Sequence, residues 1–148
     1  MASKVFNWVS DAIIRQNISL SFNNLYAHLV TAEPLATAQY LSDCTLATGG
    51  NYDYKTLTDI DNNSSNRLAL TGDTLKIKMA NPVWISLATD STPITGLIVS
   101  TGIYSSDTIL AYIERLVGGV PTPYTPNGDP FGFNIQTNGF MQLIANPA

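Results

Sequence analysis

Apolar positions along this chain first recur at helical spacing and then, after Asn17, at the spacing of two that marks strands. Over residues 3–16, Val5, Trp8, Val9, Ala12 and Ile13 repeat every three or four positions, with Ser3 placed to cap the resulting helix. A helix this short is marginal alone, so the segment needs a core or a partner on which to lay its apolar stripe. Residues 25–30 then alternate, with Leu25, Ala27 and Leu29 on one face and Tyr26, His28 and Val30 on the other.

The clearest hairpin spans 66–79. A Gly72-Asp73 turn puts glycine where a type II′ turn needs positive φ. It pairs Leu70 with Leu75 and Leu68 with Ile77 on an aliphatic face, and Ala69 with Lys76 and Arg67 with Lys78 on a polar one. A one-residue slip would scramble both faces, so the register supports itself. Residues 83–87 read as a strand that Pro82 can open. Residues 94–101 and 108–117 are nearly continuous in apolar and β-branched residues and read as central strands. Phe131, Phe133 and Ile135 alternate with Gly132, Asn134 and Gln136, and Thr137-Asn138-Gly139 turns into a last strand over 140–144.

Two stretches read as loops: 59–66, which is polar, and 118–130, which sets Gly and Pro around Tyr124. The expected architecture is all-β, an antiparallel β-sandwich or jelly roll of about eight to ten short strands. Residues 1–19 would form an N-terminal helical segment or arm, and residues 20–148 a single sandwich domain.

Composition narrows the function more than the fold. Hydrophobic residues make up 45% of the 148 positions and charged residues only 12%, about half the share usual in soluble domains. Disorder is excluded by that apolar content. The surface must be built from the 16 Thr, 13 Asn and 12 Ser instead. A net charge of −4 with seven Lys and Arg argues against nucleic-acid binding, which needs clustered cations. No apolar run approaches a membrane span, and Asn7 and Asp11 interrupt any signal-peptide core. One cysteine, Cys44, allows no intrachain disulfide.

Candidate chemistry is sparse. His28 is the one histidine, and no Gly-x-Ser-x-Gly elbow occurs. Cys44 and His28 would be the only thiol-imidazole dyad, set against the plainer reading of both as structural residues. Asp59-Ile60-Asp61-Asn62-Asn63 begins like a calcium loop, but Ser64 and Leu70 stand where an EF-hand needs Gly and Glu. No catalytic residue, cofactor or metal is therefore expected. Arg67, Lys76 and Lys78 gather three of the seven cations in one hairpin. They suit either a solvated edge or docking on an acidic protein surface. Tyr104 and Tyr124 lie in loops where aromatic rings can stack on sugars.

The run Asn24-Leu25-Tyr26-Ala27-His28-Leu29-Val30 resembles the opening of small virion proteins from tailed bacteriophages. The order that follows is similar too: Leu70-Thr71-Gly72, Val83-Trp84, Ile98-Val99, Leu110-Ala111-Tyr112-Ile113, Asn127-Gly128-Asp129-Pro130-Phe131 and a closing Gly139. The likeness covers roughly residues 20–145 and departs from the family pattern at Glu114-Arg115-Leu116 and in the long loop 118–130. The resemblance implies a capsid decoration or cement protein. Such a protein is a non-enzymatic β-sandwich, a homotrimer on the capsid exterior that locks capsomers of the major capsid protein. It would be synthesised in the host cytoplasm and carried in the virion. The expected contact residues are Val5, Phe6 and Trp8, the cations Arg67, Lys76 and Lys78, and Pro121, Pro123, Tyr124 and Pro126. A tail, baseplate or fibre component is the first alternative, and a carbohydrate-binding module the next.

Overall fold

The computed structural model describes residues 4–5, 24–63, 68–71, 74–89, 92–135 and 141–144. The strongest apolar runs in the sequence form its largest sheet. In chain order the strands are β1 (Lys4–Val5), β2 (Leu25–Val30), β3 (Lys55–Leu57), β4 (Leu68–Thr71), β5 (Thr74–Ile77) and β6 (Val83–Trp84). They continue with β7 (Gly96–Ser100), β8 (Ile109–Glu114), β9 (Leu116–Val117), β10 (Val120–Pro121), β11 (Phe131–Gly132) and β12 (Met141–Ile144). Every pairing among them is antiparallel. The order β1-β8-β7-β2-β3 makes a five-stranded sheet, and β12-β5-β4 a three-stranded one. Two-stranded pairs β11-β6 and β10-β9 complete the pattern, and no barrel closes. Among the described residues the only helical pieces are single 3-10 turns at Leu41–Asp43 and Ile60–Asn62.

The helix expected over 3–16 is corrected at its start. Lys4 and Val5 are extended and pair with Tyr112 and Ala111 at the edge of the large sheet. The rest of that segment, with Phe6 and Trp8, lies outside the described residues.

The strand expected over 25–30 is observed as β2, which lies between β7 and β3, and five of its six residues are buried, His28 and Val30 included. Burial on both faces hides the alternation that a half-exposed strand would show. The expectation of central strands holds for β7, between β8 and β2, and for β8, between β1 and β7. Their register slips at one place. Val99 faces Ala111, but Ser100 faces Ile109, so Leu110 is an extra residue in β8 and forms a β-bulge.

The hairpin register read from the sequence is observed: Leu68 with Ile77, Ala69 with Lys76 and Leu70 with Leu75. Gly72-Asp73 and Arg67 lie outside the described residues. Strand β12 adds a third partner, setting Met141 opposite Ile77 and Leu143 opposite Leu75. The aliphatic rows therefore run across three strands, with Ala69, Lys76 and Gln142 in the row between.

One hydrophobic cluster joins the elements. Leu25, Ala27, Leu29, Leu97, Ile98, Val99, Ile109 and Tyr112 come from the large sheet, and Ile77, Met79, Trp84, Leu87, Phe131, Phe133 and Ile135 from the later segments. Trp84 is fully buried and satisfies its indole N–H by donating to the Asp53 carbonyl at 2.7 Å. Phe131, Phe133 and Ile135 are buried while Gly132 and Asn134 are exposed, as the alternation predicts.

Candidate functional site

The expected strand over 108–117 breaks at Arg115, and the break creates a distinctive surface among the described residues. Arg115 leaves the β8 ladder while its N–H still donates to the Thr95 carbonyl at 2.9 Å. The chain then forms a separate hairpin, pairing Leu116 with Pro121 and Val117 with Val120. Gly118 and Gly119 make the two-residue turn with φ of +59° and +79°. Both values are positive, as a type I′ turn needs and as glycine adopts without strain. The predicted loop 118–130 is corrected accordingly: its first residues are a turn and a strand.

Four hydrogen bonds close the base of this hairpin. The Thr122 N–H donates to the Arg115 carbonyl at 3.0 Å, and Arg115 Nη1 donates to the Thr122 carbonyl at 2.6 Å. Tyr124 and Ile94 exchange two backbone hydrogen bonds, each 2.8 Å, which tie the following chain to a buried residue. Beside them Tyr124 stacks on Phe131, with ring centroids 4.3 Å apart and planes 11° from parallel. The Arg115 guanidinium carbon lies 5.3 Å from the Tyr124 centroid and 5.9 Å from that of Phe131, within cation–π range of both.

The hairpin above this base is apolar and open to solvent. Val120 is 61% exposed, Val117 52% and Leu116 39%, and a Cβ added to either turn glycine would meet nothing within 4 Å. No charged residue occurs between Leu116 and Gly128. Contiguous exposed apolar surface of this kind marks contact sites more often than chance.

The expected contact residues fall into separate places. Val5 is in β1, and Phe6, Trp8 and Arg67 lie outside the described residues. Lys76 and Lys78 are half-buried, and β5 is the central strand of its sheet, so the reading of a solvated edge hairpin is corrected. Pro121 and Pro123 are exposed, Tyr124 is half-buried in its stack, and Pro126 is buried. Of the expected set, the structure thus gathers Pro121, Pro123 and Tyr124. Sequence reading missed Arg115, Leu116, Val117 and Val120. The signal was there in Gly118-Gly119, a two-residue hairpin turn between apolar pairs, but the apolar run before it masked the break.

A second exposed apolar group lies on two loops bonded to each other. Leu41 N–H donates to Asp107 O and Ser42 N–H to Ser105 O, each at 2.9 Å. Tyr40 bridges to Thr108. Tyr40, Ile103 and Tyr104 are exposed on these loops.

His28 and Cys44 each make hydrogen bonds within the fold. Ser100 is fully buried, and its hydroxyl donates to the Gly102 carbonyl at 2.6 Å. With that proton committed, His28 Nε2 carries the ring hydrogen and donates to Ser100 Oγ at 2.8 Å. The chain of donors runs from imidazole to hydroxyl to carbonyl, opposite to the direction that activates a serine nucleophile. Burial holds the His28 pKa below 6.5, outweighing the Gly102 carbonyl and Asp107, which raise it. Cys44 donates to the Tyr40 carbonyl at 3.9 Å, and its hydrogen bond does not involve His28. Burial pushes its thiol up to about 11, with Asp43 adding to the shift, so Cys44 is protonated at neutral pH. Among the described residues no three His, Cys, Asp or Glu side chains come together as a metal site. At the start of the polar loop, Asp61 and Asn62 adopt left-handed φ of 56° and 55°. A shallow hollow of about 180 Å³ is lined by Thr31, Thr45, Leu46, Ala47, Thr48, Tyr52 and Thr92.

No protein-family model, curated protein or solved structure matches this chain.

Proposed function

We propose that the chain is a non-enzymatic capsid decoration protein of a tailed bacteriophage. In this reading its sheets pack as a β-sandwich, and a homotrimer sits on the outer surface of the head and bridges capsomers of the major capsid protein. The observation that carries the proposal is the β9–β10 hairpin, an apolar, charge-free projection clamped at its base by Arg115 and the Tyr124–Phe131 stack. A clamped hairpin has little backbone freedom left to lose on docking, so more of its burial energy reaches the complex. The Thr-, Ser- and Asn-rich surface supports the same reading. Short side chains forfeit little rotamer entropy when immobilised, and a lattice multiplies many modest contacts into firm retention. The order of short motifs, which resembles that of small phage virion proteins, is a further support for the reading.

Replacing Val117 and Val120 together by Ser tests the proposal. Both side chains are exposed, so thermal stability should change by no more than about 0.5 kcal/mol per site. Occupancy on purified heads, read after mild heating, should drop to a minority of the wild-type level. Wild-type occupancy by a correctly folded variant would rule the hairpin out as the contact.

A further inference from the structure

Seven residues beyond Val120, the loop that follows the hairpin contains an Asn-Gly pair whose surroundings favour a specific chemical change. Asn127 and Gly128 are both exposed. The side-chain oxygen Oδ1 of Asn127 accepts two hydrogen bonds, from Tyr124 Oη at 2.9 Å and from the Asp129 N–H at 3.1 Å. Two donors on one amide oxygen draw electron density from Cγ and stabilise negative charge that develops on the oxygen, the arrangement that favours nucleophilic attack at a carbonyl. The adjacent residue carries no side chain to screen its nitrogen: Gly128 has φ of +93°, a Cβ there would meet nothing within 4 Å, and no described group accepts its N–H.

We propose that Asn127 is a self-modification site at which the fold promotes deamidation, placing a negative charge on the exposed loop that follows the apolar hairpin in the chain. The Gly128 backbone nitrogen attacks Asn127 Cγ and forms the N–C bond of a five-membered cyclic imide. The Cγ–Nδ2 bond breaks, and the amide nitrogen leaves as ammonia, taking up the proton that the Gly128 nitrogen gives up. Water then adds to one of the two imide carbonyls and opens the ring to aspartate or isoaspartate. No oxidant or cofactor enters. Tyr124 is a positioning residue: its hydroxyl polarises the amide while its ring is held by Phe131.

The product changes the surface in a definite way. Residues 116–128 are uncharged in the fresh chain, and the modified chain carries a carboxylate at 127, two positions from Asp129. The two like charges repel, and an isoaspartate also lengthens the backbone at the turn. A contact surface that begins neutral therefore acquires charge as the protein ages. The chemical step stands on the loop geometry alone and does not depend on the capsid assignment.

The test incubates the full-length folded protein at mildly alkaline pH and follows position 127 by peptide mapping, since each event adds roughly one mass unit as NH2 becomes OH. Asn127 should convert faster in the folded protein than in the same chain unfolded in denaturant, a comparison that removes the intrinsic rate of an Asn-Gly pair. Tyr124→Phe keeps the ring stack and removes one donor, and should slow conversion about two- to tenfold, the rate equivalent of one neutral hydrogen bond. Asn127→Asp supplies the mass and chromatographic standard for the product. An equal or faster rate in Tyr124→Phe would overturn the proposal, as would an Asn127 that stays intact while other exposed asparagines convert.

Discussion

His28 shows what one buried titratable group does in a chain that has few. Its ring donates to Ser100, which passes the interaction on to Gly102, so the connection after β7 is pinned to β2. Burial lowers its pKa in the folded chain below the 6.5 of the free side chain. Above 6.5 both the folded and unfolded chains hold a neutral ring, and the group adds no pH dependence. As pH falls through 6.5 the unfolded chain takes up a proton first, so stability declines until pH drops below the folded pKa, where the loss levels off. The melting temperature of wild type should therefore fall between about pH 7 and pH 5 more steeply than that of His28→Gln, which keeps a side-chain donor and does not titrate. Identical slopes would mean that the buried ring is not coupled to folding in this way. Cys44 differs in kind: a thiol pushed up to about 11 takes no part in thiolate chemistry at neutral pH.

At the scale of elements, Arg115 separates the core from the exposed hairpin. Its backbone continues the sheet toward Thr95, and its side chain closes on Thr122 and faces two aromatic rings. Arg115→Ala removes the side-chain hydrogen bond and the ring contact and should cost about 1–2 kcal/mol locally. Hydrogen exchange should report it as lost protection at the Val120 and Thr122 amides, with the core amides of β7 unchanged. Uniform loss across the molecule would instead make Arg115 part of the global fold. The same residue explains where sequence reading succeeded and failed. The 68–77 register was legible because Leu68, Leu70, Leu75 and Ile77 share one face and a slip would misplace all four. The break at Arg115 was not, because apolar pairs resume at Leu116-Val117 straight after the charged Glu114-Arg115, and periodicity alone does not separate a break from a strand that turns a polar face outward. Likewise the bounds of β2 were legible in its alternation, but not the burial of both its faces, His28 and Val30 included. Pro126 looked exposed for its loop composition, and packing decided otherwise.

At the scale of the whole molecule, the small share of charge and the large share of short polar side chains become a description of the surface. With 12% charged residues and 45% hydrophobic ones, the chain covers a continuous apolar core with Thr, Ser and Asn. Such a surface gains little from long-range electrostatic steering and relies on shape and close packing. The charge-free hairpin concentrates that property at one place, and slow conversion of Asn127 would erode it. The reading of the chain as a head decoration protein is tested most directly by immunogold labelling of intact virions that carry it. Even labelling over the whole surface of the head is the predicted result; labelling confined to the tail, or absent from virions altogether, would contradict it.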